Sequence, residues 1–111
     1  YFANVDTVKS FIKEKLQNDD KIKLIIIKSE SINSIDMSSL KVLEDFIKQL
    51  RDQQIQVYFS GVIGPVRDLF YQTKFIDTIG EDVLFTDTTS AIQKFLTEED
   101  DQGHSIAIQH N

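Results

Sequence analysis

At 111 residues, 41% hydrophobic and carrying 8 Phe and 3 Tyr, the chain has the length of one domain and apolar mass for a single core. A net charge of −6, with no local Lys/Arg cluster to override it, argues against nucleic acid and anionic lipid as partners. The absence of cysteine excludes disulfides, thiolate metal sites and cysteine nucleophiles, and no apolar run approaches the ~20 residues of a membrane span. No secretory signal pattern opens the chain either, so it is expected to be soluble with no direct membrane insertion.

Tyr1-Phe2-Ala3 reads as the last residues of a strand whose beginning lies before the chain, as in a piece of a longer protein. Val5, Val8, Phe11, Ile12 and Leu16 then recur at helical spacing, with Asn4 or Asp6 available as N-cap. Ile22 to Ile27 is a β-branched run with little polar alternation, the pattern of a strand covered on both faces. Leu40, Leu43, Phe46, Ile47 and Leu50 form the stripe of a second helix. A second strand covers Ile55 to Phe59. Gly61 and Gly64 loosen the backbone, and Pro65 suits the first turn of a third helix carrying Val66, Leu69, Phe70, Tyr71 and Phe75. A short strand, Val83 to Phe85, follows the turn at Gly80, and Asp87 or Thr88 caps a last helix bearing Ala91, Ile92, Phe95 and Leu96.

This alternation predicts an α/β domain: a mostly parallel central sheet with helices packed against it. The strand at Leu24–Ile27 should be central, flanked by those near Val57 and Phe2. The domain is expected over residues 1–97. Residues 98–111 open on Glu98-Glu99-Asp100-Asp101 and hold only isolated Ile106 and Ile108, which predicts a flexible acidic and polar tail, dispensable for stability.

The segment Asp36-Met37-Ser38-Ser39-Leu40 joins the central strand to a helix start. Unpaired N–H groups and the positive end of the helix dipole meet there, at the C-terminal edge of a parallel sheet where such folds place their sites. Ser38 has two readings, a capping hydroxyl or an exposed regulatory site. Asp36 likewise either caps the helix or shapes the loop for a partner or anion, and Met37, if exposed, suits an adaptable contact. The loop holding Gly61, Gly64, Pro65 and Arg67 should lie beside it. It lacks the Lys-Ser/Thr of a P-loop and the three glycines of a dinucleotide fingerprint. Arg67 could pair with an anion or with a neighbouring acid such as Asp68. Catalysis is not expected: His104 and His110 fall in the tail, no base serves Ser38, and no metal-ligand or cofactor pattern is present.

Four segments carry a resemblance to a known family. They are Phe2-Ala3-Asn4 before the first helix, the loop Ile32 to Leu40, the segment Gly61 to Leu69 containing Gly-Pro-Val-Arg-Asp, and Ile79 to Phe85. In this order and spacing, over residues 1 to about 97, the chain resembles the STAS domain, in particular that at the cytoplasmic C-terminus of SulP-type anion transporters. It departs from the family pattern in lacking the strands before Phe2, and in carrying Met37 and Ser39 where a hydroxyl residue and a glycine are usual. The resemblance implies a non-catalytic regulatory and interaction domain on the cytoplasmic face of the inner or plasma membrane. Its partner would be the transmembrane domain of the same transporter for sulfate or a related anion, with a cytoplasmic protein as a further partner. Two alternatives stay open. One is a free-standing anti-sigma-factor-antagonist-like regulator, a branch whose phospho-acceptor position is Ser38 here, with Asp36, Met37 and Ser39 around it. The other is a nucleotide- or small-anion-sensing module.

Overall fold

The computed structural model describes residues 4–98 and 105–109, and the side chain of Ser105 is not among what it describes. The elements in chain order are α1 (Val5–Asn18), β1 (Ile22–Lys28), α2 (Met37–Asp52), β2 (Gln56–Ser60), α3 (Gly64–Gln72) and α4 (Phe75–Ile79). A 3-10 turn at Glu81–Val83 leads into β3 (Leu84–Phe85), followed by α5 (Thr88–Glu98) and β4 (Ser105–Gln109). The strands form one sheet of order β3-β2-β1-β4 with every pairing parallel.

Periodicity accounts for most of this. β1 is buried along nearly its whole length, as an all-apolar run must be when helices cover both faces. In the β1–β2 register Ile25 sits beside Val57 and Ile27 beside Phe59, while Leu24 and Ile26 turn to the opposite face. Phe59 meets the rings of Phe70 from α3 and Phe75 from α4 at 5.6 and 6.1 Å, so these helices lie on its face. Contacts of α1 with α2, α2 with α4 and α3 with α4 place all four helices in that layer. Among the described residues the other face is covered by α5 alone, packed over β1, β2 and β3. Lys94 of α5 spans the rings of Tyr58 and Phe85 and donates to the Asp82 carbonyl at 2.9 Å.

Three expectations need correction. The helix read as continuous from Pro65 through Phe75 ends at Gln72. Lys74 takes a left-handed conformation, φ 64°, and α4 starts afresh with Phe75 turned fully into the core. The second strand flanking β1 is β4, while the strand read at Tyr1-Phe2-Ala3 lies outside the described residues. The tail expected to be flexible does not hold for residues 105–109. They pair with β1, placing Ile106 beside Leu24, Ala107 beside Ile25 and Ile108 beside Ile26. The physical reason is the edge of β1: its backbone groups and buried isoleucines require a cover, which a short alternating segment can supply. Glu98 itself ends α5, and the rest of the proposed tail lies outside the described residues.

Candidate functional site

Because all strands are parallel, the loops after β1, β2 and β3 converge at one end of the sheet. The loop after β1 is pinned by Ile32 and Ile35, both buried, and by the Ser29 hydroxyl, which donates to the Ile27 carbonyl at 3.1 Å. These anchors deliver Asp36 to the start of α2, where one carboxylate oxygen accepts the Ser39 N–H at 2.6 Å and the Ser38 hydroxyl at 3.0 Å. Asp36 is therefore the N-cap, and α2 begins at Met37, earlier than the apolar stripe alone suggests. Ser38 does not cap; its exposed hydroxyl hangs on the capping carboxylate. Ser39 is half-buried, whereas Met37 is 66% exposed and borders a cleft of about 170 Å³ with Leu40, Lys41, Glu44, Thr73 and Phe75.

The Ser39 N–H first, then the Ser39 and Ser38 hydroxyls, hold the Asp36 carboxyl below its ordinary 3.8. Asp87, accepting from Ser90 N–H at the start of α5, is lowered for the same reason. A carboxyl lowered by folding contributes stability above its unfolded value and loses it as pH falls through its folded value. An Asp36→Asn variant should thus be less stable than the unmodified chain at neutral pH. The gap should narrow below about pH 3.8, as read from urea midpoints across pH. A gap that does not change with pH would mean the charge on Asp36 does not matter.

The loop after β2 lies where the sequence places it. Asn33, Ser34 and Ile35 face Pro65, Val66, Asp68, Leu69 and Gln72 across a cleft of about 210 Å³. Gly64 opens α3 and Pro65 follows in its first turn, with no side chain capping that helix. Arg67 is exposed and makes no ion pair with Asp68 or any other described acid. It lines a second cleft, about 280 Å³, with Gly61, Val62, Leu84, Phe85 and Thr86. The Ser38 loop and Arg67 thus border different clefts.

Sequence reasoning missed a polar cluster behind Gly61. The fully buried Ser60 places its hydroxyl 3.4 Å from both a Glu30 carboxylate oxygen and the Thr88 hydroxyl. Its three members come from the loop after β1, the end of β2 and the start of α5, so no local spacing announces it; the signal the sequence offers is a serine at the end of each apolar run, Ser29 and Ser60. Gly61 has φ +67° and donates to the Phe85 carbonyl at 2.8 Å, and a Cβ there would overlap the Glu30 carboxylate. Gly61→Ala should therefore destabilise by about 1–2 kcal/mol through left-handed strain and the displaced Glu30. A urea midpoint at or above that of the unmodified chain would contradict this.

Comparison with known proteins now adds a family. A model of the STAS domain matches residues 1–92. The chain belongs to the STAS domain family. Two relatives from Arabidopsis thaliana are sulfate transporter 1.1, 27% identical over 107 residues, and sulfate transporter 1.3, 28% identical over 101 residues. These matches cover 88% and 83% of the chain but 16% and 15% of the transporters, so this STAS chain spans about a sixth of their length. Among solved structures, the fold is similar to a sulfate transporter family protein from Wolinella succinogenes, with TM-score 0.69 and 22% identity. That likeness covers 89% of this chain and 86% of the other. It is also similar to the SulP transporter STAS domain from Vibrio cholerae, with TM-score 0.62 and 21% identity, over 68% and 59% of the two chains. Among the described residues of this STAS domain, no helix is long and apolar enough to cross a membrane.

Proposed function

We propose that this chain is the non-catalytic regulatory and interaction domain of a SulP-type transporter for sulfate or a related anion. The observation that carries the reading is a STAS match over nearly the whole chain, set within about a sixth of each sulfate transporter it resembles. The domain would lie on the cytoplasmic face of the membrane and contact the transmembrane portion of the same protein. Its contact surface would be the loop end of the sheet, where exposed Met37 borders one cleft with Thr73 and Phe75, and Asn33 and Ser34 face Pro65 and Asp68 across another. Deleting the domain from the full-length protein should lower sulfate uptake. Undiminished uptake at equal membrane abundance would reject the reading.

Within this reading Ser38 is the regulatory residue. A phosphate there would add nearly two negative charges within reach of the Asp36 carboxylate and displace the hydroxyl hydrogen bond between them. The α2 N-terminus favours the added charge while Asp36 opposes it, so the fold changes little and the loop surface changes greatly. Ser38→Ala removes only an exposed hydrogen bond and should shift stability by no more than ~0.5 kcal/mol; Ser38→Asp should likewise fold. Transport and partner binding should suffer more from Asp than from Ala. If both variants transport and bind like the unmodified protein, Ser38 has no switching role.

A further inference from the structure

We propose that the groove between α3 and the start of α2 receives a basic amphipathic helix from the cytoplasmic side of the same transporter's transmembrane portion. The inference rests on the reading of the chain as a transporter domain and names what its contact surface holds. Two clefts lie end to end along α3. The first, about 210 Å³, has Pro65, Leu69 and Gln72 on its α3 wall, with Asn33 to Ile35 opposite. The second, about 170 Å³, continues from Thr73 on that wall and from Met37 on the other. Their floor is apolar: Ile35, Leu40, Val66 and Phe75 are buried and Leu69 is partly buried. Their rim is polar, with Asn33, Ser34, Asp68 and Gln72 exposed. An apolar floor under a polar rim is the form that takes the apolar face of a helix. The spacing agrees. Thr73, the C-cap of α3, lies four residues beyond Leu69, about 6 Å along the axis. Side chains at i and i+4 of a docked helix stand roughly 5–6 Å apart, so one would enter each cleft. Met37 at the edge of the second cleft has a flexible side chain that can close over the inserted group.

Charge selects the source of the helix. Asp68 stands on the rim and, among the described residues, makes no ion pair, whereas Lys41 and Glu44 at the far end of the groove pair with each other. The whole chain carries a net charge of −6. Cytoplasmic segments flanking membrane spans carry an excess of Lys and Arg, and one such residue beside the two apolar anchors would meet Asp68. The same net charge repels an anionic lipid surface. A phosphate on Ser38 would draw that Lys or Arg away from Asp68 and hold water at the mouth of the groove. The helix would then lose its register on the two clefts.

The test replaces Met37 by photoreactive benzoylphenylalanine in the full-length transporter. Val42, exposed on α2 outside both clefts, is replaced likewise as the control. After irradiation in membranes, mass spectrometry of the digest should find position 37 joined to a cytoplasmic segment of the transmembrane portion. That segment should carry Lys or Arg beside apolar residues three or four apart, and position 42 should not reach it. Asp68→Lys should lower the yield from position 37 about fivefold at low salt, with the difference shrinking as salt is raised. Ser34→Trp, at an exposed position, should lower it by filling the first cleft. A product with lipid, with a second copy of this domain or with another protein would overturn the proposal. So would equal yields at positions 37 and 42, or indifference to either substitution. If deleting the domain lowers uptake and no crosslink reaches that segment, the docking fails while the reading of the domain stands. If the crosslink forms but uptake survives deletion, the docking holds and the regulatory role is what fails.

Discussion

Replacing Phe75 by alanine should destabilise the domain by about 3–5 kcal/mol, the largest effect expected from any single side chain here. Phe75 is 1% exposed, and its ring centroid lies 4.6 Å from that of Phe70 and 6.1 Å from that of Phe59. The three rings close the joint between α3, α4 and β2. α4 is too short to hold its own shape, so its position depends on what Phe75 and its neighbours bury. The cavity would open between elements rather than inside one, leaving α4 held by buried Ile76 and Ile79 and by the Arg51 guanidinium, which donates to the Thr78 and Ile79 carbonyls. A urea denaturation curve with unchanged slope and a lowered midpoint would match cavity formation; a loss below ~1 kcal/mol would mean that α4 re-docks freely.

Ending the chain after Glu98 should cost about 2–4 kcal/mol while leaving a folded domain. The cost is the lost cover of β1: Ala107 and Gln109 leave the buried layer, and Leu24 to Ile27 gain access to water along one edge. The shortened chain should also associate more readily, since an open apolar edge invites another strand. Equal urea midpoints for the full and shortened chains would show that β4 contributes nothing.

Much of this fold was legible because its central elements bury long periodic stripes. Ile22–Ile27, Leu40–Leu50 and Val5–Leu16 read correctly from spacing alone, and Asn4 does cap α1, accepting from Thr7 at 3.2 Å. What escaped was fixed by tertiary context. The break at Lys74 has no glycine or proline to mark it, since the left-handed turn is imposed by the packing of Phe75. β4 escaped because its inward residues are Ala107 and Gln109, which carry no apolar signal; only the vacant side of β1 makes them core. At the site, helix-start chemistry offered Asp36 and Ser38 each as a cap, and their pairing is seen only in the structure. Which of the two does the capping depended on backbone geometry: the loop holds Asp36 extended, at ψ 165°, just before the first turn.

The sheet order carries a consequence for how the chain acquires its shape. β1 and β2 are joined by one helix and can meet early, but β1 and β4 bring together residues from opposite ends of the described chain. Loop-closure entropy makes such a pairing late, and among the described residues the pairings are all parallel, with no hairpin to start from. Assembly should therefore run outward from β1 and β2, with the far edge completed last. Until that step, β1 should lack the pairing that β4 gives it.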